Sequence, residues 1–297
     1  LYHEHKKGIN AGYAKFETFP VWNLPLKHPV NIAYEAATAD LKDINMIDPF
    51  HLEKYNINAV NYNRDVETFP ILKSILHHIT GKDIYYSPTD MGVNMVGYCI
   101  KDNEIVETAA KKEVVRRYFN ELCNYKLGIS DIDTVQKTKL LMNELNINEN
   151  YLKVVDVSKI VSEKKKTNII ALELPNGKII TGKQTELLSP ASSVIINAIK
   201  ELSKIPDEIN LLSPTILEPI LKLRKNSNVL TLQEVLIALA VCSVTNPSIA
   251  SALDKLDMLK ECEAHATYIV NNGDLKALKM LKINLTCEPA YYSNEIM

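Results

Sequence analysis

The chain has 297 residues, of which 46% are hydrophobic and 24% are charged, a composition typical of globular proteins with room for two domains. Its 34 lysines and arginines against 36 aspartates and glutamates give a net charge of -2, which excludes a broad basic surface for nucleic acid. No apolar run approaches the roughly 18 to 20 residues that cross a bilayer, so we expect no association with a membrane.

The cysteines and the first residues indicate the compartment. Five cysteines are an odd and sparse set, unlike the even, dense disulfide frameworks of small secreted domains. Residues 1–8 lack the apolar core of a signal peptide. These features predict a protein of the reducing cytoplasm.

The first 98 residues alternate short apolar runs with turn residues, which predicts strands interleaved with helices. Helical spacing of apolar residues predicts helices at residues 31–41 and 66–79. Pro70 is then expected in the first turn of the second helix, where a helix tolerates proline. The apolar run at residues 59–62 predicts a buried strand between the two helices.

The middle of the chain, from about residue 103 to 145, has no proline and is rich in charged residues. An apolar stripe at helical spacing predicts a long amphipathic helix, formed by Val106, Ala109, Ala110, Val114, Tyr118 and Leu122. Gly128 is expected to end this helix, and Ser130 to cap a second one with Asp133 at the capping-box position. The pattern predicts a helical insertion.

A β-hairpin is the clearest local prediction in the last part of the chain. Asn176 and Gly177 lie between the apolar runs 169–174 and 178–182, and this dipeptide favours a tight hairpin turn. Helices are expected after the hairpin at residues 191–205, 213–224 and 231–244, the last opened by Thr231 with Glu234 as a capping box.

A β-α-β arrangement is predicted at the end, with strands at residues 266–270 and 283–286 and a helix at 274–281. The fold class is therefore α/β and multidomain. Residues 1–100 are expected to form the α/β N-terminal part, residues 101–160 a helical subdomain, and residues 161–297 an α/β C-terminal subdomain that contains the hairpin.

Polar residues concentrate in a loop at residues 87–94. Thr89, Asp90 and Asn94 surround Gly92, a combination able to bind a phosphate, sugar hydroxyls or Mg²⁺ through Asp90. The alternative is an ordinary tight turn, since Asp and Asn also stabilise turns through their own backbone.

Asn61, Asn63 and Arg64 come at the end of the predicted buried strand. Ligands of open α/β sheets bind beyond the carboxyl ends of strands, and the guanidinium of Arg64 suits a phosphate or a carboxylate. The alternative for Arg64 is an ion pair with a local acid. Upstream, His51 is a candidate general base or metal ligand, or a structural histidine in a turn.

Cys262, His265 and Cys287 supply three soft ligands, enough for a catalytic zinc but fewer than the usual four of a structural site. Cys262 precedes one predicted strand and Cys287 ends the other, which weakens a shared site, and buried thiols are the simpler interpretation. The run from Ser189 to Ser193, with Lys183 just upstream, is compatible with an anion at a helix start or with ordinary N-capping.

Long segments of the chain resemble one known family, at residues 12–25, 28–51, 60–65, 87–97, 262–267 and 284–289. The family is uncharacterised protein family 0371, also called domain of unknown function 1846, which is bacterial. The resemblance implies an α/β N-terminal region, a helical insertion and an α/β C-terminal subdomain, without an established activity. It also implies a glycine-rich, lysine-containing loop upstream of Leu1, which we expect this chain to lack.

The leading functional hypothesis is a protein that binds or transforms a phosphate-containing small molecule or a nucleotide. Its ligand-binding residues would be Asn61, Asn63, Arg64, Thr89 and Asn94, with His51 and Asp90 as catalytic candidates. One alternative is a non-catalytic homo-oligomeric scaffold that uses the apolar stripe of the long helix as a subunit interface. Another is a metal-dependent hydrolase or deaminase using Cys262, His265 and Cys287. The sequence indicates no particular cofactor.

Overall fold

A computed structural model describes residues 1–14, 19–223 and 229–292. Contacts divide the chain into two compact units. The first consists of Leu1–Glu121 and Ser130–Asn148, and the second of Leu122–Ile129 and the described residues from Glu149 onward. Both units mix helices with strands, which confirms the multidomain α/β fold class. The three-part division at residues 100 and 160 stays a prediction.

The first unit contains a two-stranded sheet, of β1 (Asn45–Ile47) and β2 (Val60–Tyr62). The strands are antiparallel, with Ile47 opposite Val60 at one end and Asn45 opposite Tyr62 at the other. The sequence predicted β2 but not β1, because three residues are too few to show a period.

Six helices are described from this part of the chain: α1 (Tyr2–Lys6), α2 (Pro29–Ala37), α3 (Pro49–Tyr55), α4 (Asn63–Thr80), α5 (Asn103–Lys126) and α6 (Ile132–Glu144). Short 3₁₀ turns lie at Ala39–Leu41, Pro88–Met91 and Val96–Cys99. The predicted long helix is confirmed as α5, and Val114 and Tyr118 of its apolar stripe are buried.

Two predicted details of these helices are wrong. Pro70 lies inside α4 rather than in its first turn, because the helix begins at Asn63, directly after β2. The first turn of α4 is polar, so the apolar period becomes visible only from Val66. The N-cap of α6 is Asp131 and not Ser130: its carboxylate accepts hydrogen bonds from Thr134 N and Thr134 Oγ1, both at 2.8 Å.

The second unit is built on a four-stranded sheet of order β4-β3-β5-β6. Its strands are β3 (Ile169–Glu173), β4 (Ile179–Lys183), β5 (Glu263–Ala266) and β6 (Asn284–Cys287). β3 pairs antiparallel with β4 and with β5, while β5 and β6 are parallel. The predicted hairpin is confirmed as β3 and β4, and β4 is an edge strand.

The helices of this unit are α7 (Lys153–Lys165), α8 (Pro190–Leu202), α9 (Pro214–Lys222), α10 (Leu232–Ser243), α11 (Pro247–Leu253) and α12 (Asn272–Met280). Short 3₁₀ turns lie at Glu149–Tyr151 and Leu256–Leu259. The helix predicted at residues 213–224 corresponds to α9, and its predicted last residue, 224, lies outside the described residues. The predicted capping box of α10 is present, since Glu234 accepts hydrogen bonds from Thr231 N and Thr231 Oγ1 at 2.8 Å.

The position of β5 corrects the sequence analysis. The strand occupies Glu263–Ala266, whereas the prediction placed it at residues 266–270, where the apolar run is longer. All four residues of β5 are buried, although two of them are Glu263 and His265. A fully buried strand is usually recognised as a continuous apolar run, and the two polar residues interrupt that run in β5.

Gly182 of β4 allows α8 to lie directly against the sheet. A Cβ atom built at this position would lie 2.5 Å from Pro190 O and 2.6 Å from Val194 Cα, both in the backbone of the helix. No side chain fits at such distances. The absence of a side chain at Gly182 therefore sets how closely β4 and α8 approach each other.

Candidate functional site

A buried hydrogen-bonded cluster in the first unit joins several residues singled out from the sequence. Its centre is the carboxylate of Asp48, at the start of α3, which accepts hydrogen bonds from Phe50 N and His51 N. Its second oxygen accepts from Thr89 N at 3.2 Å and from Thr89 Oγ1 at 2.5 Å. Asn61 Nδ2 donates to Thr89 Oγ1 at 3.4 Å. Thr89 and Asn61 are thus held by internal partners.

Asp90 organises the backbone of its own loop. Its carboxylate accepts hydrogen bonds from Tyr86 N at 2.9 Å, Ser87 N at 3.1 Å and the hydroxyl of Tyr55 at 3.1 Å. Ser87 Oγ in turn accepts from Asp90 N at 3.2 Å, which completes a capping box at the 3₁₀ turn. Aspartates commonly stabilise turns by accepting hydrogen bonds from nearby backbone N–H groups. The three hydrogen bonds to Asp90 therefore agree with the alternative interpretation of this loop, an ordinary tight turn.

His51 is oriented by the same cluster. Its Nδ1 lies 3.0 Å from Ser87 Oγ and 3.6 Å from Asp90 Oδ1, and its ring packs against Tyr55 with centroids 4.7 Å apart. Ser87 and Asp90 face the same ring nitrogen, so the three residues do not form a Ser-His-Asp relay, which uses both nitrogens. Among the described residues no partner is found for Nε2. A role of His51 in proton transfer stays a prediction.

Arg64, Asn63 and Asn94 lie apart from this cluster. Arg64 forms a two-pronged ion pair with buried Asp43, with Nε 3.1 Å from Oδ1 and Nη2 3.3 Å from Oδ2. Asn63 Oδ1 accepts a hydrogen bond from Ile44 N at 2.8 Å. Both contacts are at the end of the β1–β2 sheet opposite to Asp48, because the strands are antiparallel. The expected convergence of Arg64 and Asp90 is therefore not found.

Asn94 holds its own loop in place through hydrogen bonds to the backbone. Its Nδ2 donates to Phe19 O at 3.0 Å, and its Oδ1 accepts from Val96 N at 3.1 Å. A backbone bridge between Val21 and Asn94 reinforces this contact. The amide group of Asn94 is engaged on both sides by the protein, as an amide that holds a loop in place would be.

Cys262, His265 and Cys287 of the second unit are not brought together as ligands within the described part of the chain. His265 is fully buried in β5, with Nδ1 2.8 Å from Thr286 Oγ1 and Nε2 3.1 Å from Glu288 Oε1. Burial raises the pKa of the Cys262 thiol and raises that of Cys287 to about 11, so both favour the neutral form. Among the described residues no group of three or more His, Cys, Asp or Glu side chains is arranged to hold a metal ion.

The pair of His265 and Glu288 is a contact that sequence reasoning missed. Parallel pairing places His265 opposite Thr286, so Glu288, two residues further on, reaches Nε2. Burial lowers the pKa of His265. Burial alone would raise the pKa of Glu288, but hydrogen bonds from His265 and from Lys159, whose Nζ is 2.9 Å away, hold it below its ordinary value.

Acid is expected to weaken the second unit through this pair. Below the ordinary histidine pKa of 6.5 the unfolded chain takes up a proton that folded His265 resists, so stability falls as the pH falls. The lowered pKa of Glu288 acts in the same direction at more acidic pH. The free energy of unfolding can be measured by urea titration at pH about 7.5 and at pH about 5.5. We expect its decrease between these two pH values to be smaller in His265→Gln than in the unchanged chain. His3→Gln, in exposed α1, is the control, and equal pH dependence in all three proteins would contradict this.

A cavity of about 600 Å³ lies beside β4 and α8 of the second unit. Four lysines line it: Lys165, Lys178, Lys183 and Lys200. The other polar residues that line the cavity are the carboxylates Glu201 and Asp207 and the neutral residues Thr181, Thr185, Ser193, Asn197 and Asn210. Lysines thus outnumber carboxylates in this cavity, although the whole chain has a net charge of -2.

Lys200 is the most unusual of these lysines, because only 5% of its surface is exposed. Its Nζ donates to Asp207 O at 2.8 Å, and Asp207 Oδ1 lies 3.9 Å away on a side chain that is 99% exposed. Lys178 is neutralised by Glu201 at 2.6 Å. For Lys165 and Lys183 no ion pair is found within the described part of the chain. The cavity therefore keeps an excess of positive charge.

Ser193 adds a second incompletely satisfied group. The residue is 7% exposed, and its Oγ is buried without a hydrogen-bond partner among the described residues. A buried hydroxyl without a partner is destabilising by about 1–3 kcal/mol. The sequence hint of an anion near Lys183 and the serines at the start of α8 pointed to this region. Ser189 and Ser192 themselves bond to Asp274 Oδ1 and Leu230 O.

Comparison with known proteins places this geometry in a family. The profile of the domain of unknown function DUF1846, N-terminal, matches residues 1–146, and the profile of its C-terminal domain matches residues 150–297. The chain belongs to this family. The sequence resemblance is thereby confirmed, and the lysine-lined cavity lies in the DUF1846 C-terminal domain.

The curated relatives of this chain include UPF0371 proteins of clostridia. The protein of Clostridium tetani (strain Massachusetts / E88) is 50% identical over 310 aligned positions, and that of Clostridium botulinum (strain Kyoto / Type A2) is also 50% identical. Each alignment covers 100% of this chain and 62% of the relative, so the chain spans less than two thirds of the length of these UPF0371 proteins.

Among the described residues, no helix combines the length and the apolar character that spanning a membrane requires.

Proposed function

We propose that this protein binds a phosphate-containing small molecule and that the cavity beside β4 and α8 holds the phosphate. One observation carries the proposal: a buried ammonium, Lys200, and a buried hydroxyl without a partner, Ser193, line the same cavity. A volume of about 600 Å³ falls in the range of small-molecule sites.

The polar groups of the cavity are those that an anion satisfies. An ammonium group carries three donors, and the described contacts of Lys200 use one of them well, at Asp207 O. A phosphate group in the cavity would accept a hydrogen bond from Lys200, and a further oxygen of the group would be the partner proposed for the Ser193 hydroxyl. Charge-assisted bonds of this kind are stronger than neutral ones.

Two exposed lysines favour the approach of such a ligand. Lys165 and Lys183 line the same cavity and are exposed. Like-signed charges at the mouth of a cleft raise the local concentration of an oppositely charged ligand. In this proposal Lys200 and Ser193 bind the phosphate, while Lys165 and Lys183 attract the ligand to the cavity.

This proposal keeps the ligand class inferred from the sequence but moves its site. Arg64, Asp90 and Asn94 have internal partners in the first unit, as described above. The scaffold alternative relied on the stripe of α5. Val114 and Tyr118 at its centre are buried within the chain, whereas Ala109 is exposed and Val106 and Leu122 are half-buried. The phosphate proposal rests instead on buried Lys200, whose acidic neighbour Asp207 is 3.9 Å away on an exposed side chain, and on the Ser193 hydroxyl, which has no partner among the described residues.

Lys200→Met is expected to weaken the binding of inorganic pyrophosphate about tenfold or more, because it removes the buried charge and keeps the packing of the stem. Isothermal titration calorimetry of the folded chain measures the change. Lys276→Met is the matched control, since Lys276 is exposed on α12 and does not line the cavity. Equal affinities in all three proteins would refute the proposal.

Ser193→Ala is expected to change binding and stability in opposite directions. Without a ligand, the variant is as stable as the unchanged chain or more stable, because a buried hydroxyl without a partner is removed. Its affinity for pyrophosphate falls, because one donor is lost. Urea unfolding and calorimetry on the same preparation report both quantities. A large loss of stability would show that the hydroxyl has a structural partner.

A further inference from the structure

A second, more apolar cavity adjoins the lysine-lined cavity. This adjoining cavity has a volume of about 320 Å³ and shares five lining residues with the first, namely Thr185, Leu188, Asn210, Leu212 and Leu217. Glu186, Leu187 and Pro214 complete its wall. The two cavities are thus adjacent, with a cationic region at Lys200 and a leucine-rich region at Leu212 and Leu217.

We propose, on the basis of the phosphate binding inferred above, that the ligand is an amphiphilic phosphate monoester with an aliphatic chain. The phosphate lies at Lys200 and Ser193. The chain lies in the adjoining cavity, which we call the leucine compartment (Leu187, Leu188, Leu212, Pro214 and Leu217). Burying an aliphatic group against leucines removes apolar surface from water on both sides.

The lining disfavours other common phosphate esters. No aromatic side chain lines either cavity within the described residues, whereas sites for nucleobases commonly use aromatic rings for stacking. Five of the eight residues that line the adjoining cavity are leucine or proline, which offer no hydrogen-bond partner to the hydroxyl groups of a sugar phosphate, and only Thr185, Glu186 and Asn210 supply polar side chains there. The geometry therefore narrows the phosphate-containing ligand predicted from the sequence and removes the nucleotide from it.

Chain length is the variable that tests this inference. Each methylene group that enters the leucine compartment is expected to strengthen binding about fourfold. The gain should stop when the compartment is full, so affinity rises along the series and then levels off.

The experiment is calorimetry of the folded chain with inorganic phosphate, ribose 5-phosphate, and ethyl, butyl and hexyl phosphate. We expect affinity to rise from ethyl to hexyl phosphate and ribose 5-phosphate to bind no better than inorganic phosphate. Leu187→Ser, at the partly buried edge of the compartment, should reduce the gain per methylene without changing the affinity for inorganic phosphate. Ile237→Ser is the control, because Ile237 is exposed on α10 and does not line either cavity.

The outcomes separate the two proposals. If inorganic phosphate binds and chain length has no effect, the amphiphilic ligand is refuted while phosphate binding stands. If neither inorganic phosphate nor any ester binds, both are refuted. Vesicles of phosphatidic acid in phosphatidylcholine identify the source of the chain: sedimentation of the protein with them, together with hexyl phosphate binding, indicates a lipid surface. Binding of hexyl phosphate without sedimentation indicates a free ester, and both results support the proposed class.

Discussion

Gly182→Ala is expected to lower the free energy of unfolding by about 3 kcal/mol, at the upper end of the usual effect of overpacking. The added methyl group would lie within 2.6 Å of Pro190 O and Val194 Cα. These are backbone atoms of α8 and have no rotamer through which to move away, so β4 and α8 must separate. Urea unfolding followed by circular dichroism measures the loss.

Gly12→Ala is the matched control for this substitution. Of the described atoms, a Cβ atom at Gly12 would meet only Tyr85 Oη, at 3.5 Å, an ordinary van der Waals distance. The control should therefore change stability by less than about 1 kcal/mol. If Gly182→Ala were as stable as Gly12→Ala, the close approach of α8 to the sheet would be wrong. A correct result also predicts altered pyrophosphate binding in Gly182→Ala, because β4 and α8 form the cavity.

Asp274→Ala is expected to lower the free energy of unfolding by about 3 kcal/mol, because several buried hydrogen-bond donors lose their acceptor. The Asp274 carboxylate is fully buried and accepts hydrogen bonds from Leu232 N at 2.6 Å, Ser189 Oγ at 3.0 Å and Asn271 Nδ2 at 2.7 Å. Leu232 N is at the first turn of α10 and Ser189 caps α8, so one carboxylate serves the starts of two helices.

Asp274→Asn separates the loss of charge from the loss of hydrogen bonds. The amide oxygen still accepts from Leu232 N, so this variant should lose clearly less stability than Asp274→Ala. Burial raises the pKa of Asp274 although its three donors pull it down. Removing the charge thus also removes a desolvation penalty. Equal losses in the two variants would mean that the hydrogen bonds at the two helix starts contribute little.

Much of the fold was readable because the relevant signals are local. Asn176 and Gly177 require a tight turn, and the hairpin follows from two adjacent apolar runs. Thr231 and Glu234 are three residues apart, and their hydrogen bonds need no distant partner. The long apolar stripe of α5 repeats often enough to outweigh single exceptions.

Several of the elements that were missed or displaced are short or depend on distant residues, although the 13-residue helix α7 was missed too. β1 has three residues, and α3 and α11 have seven each, too few for a helical period to stand out. β5 contains Glu263 and His265, whose burial is possible only because Thr286 and Glu288 of the neighbouring segment bond to the histidine. No spacing within β5 reveals that pairing.

The candidate site was predictable in its chemistry but not in its position. Ser193 and Lys183 were noted as part of an anion-binding start of α8, yet Lys200, seven residues further along the helix, is the buried charge. Burial of one lysine among many depends on how residues 205–212 return over α8, which the sequence pattern does not show. Arg64 and Asp90 looked equivalent as polar loop residues, and only the antiparallel register of β1 and β2 separates them.

Helix α5 has a consequence for dissecting the molecule. It begins in the first unit and ends in the second, and residues 122–129 belong to the second unit although the chain then returns to the first. Within the second unit, Cys123 Sγ bonds to Cys287 O at 3.3 Å and Tyr291 Oη bonds to Lys126 O at 3.3 Å. A protease cut at the boundary between the two family domains would therefore leave a fragment that still carries part of its neighbour's fold. We expect the two fragments to remain associated after such a cleavage and to exchange poorly with fragments of other molecules.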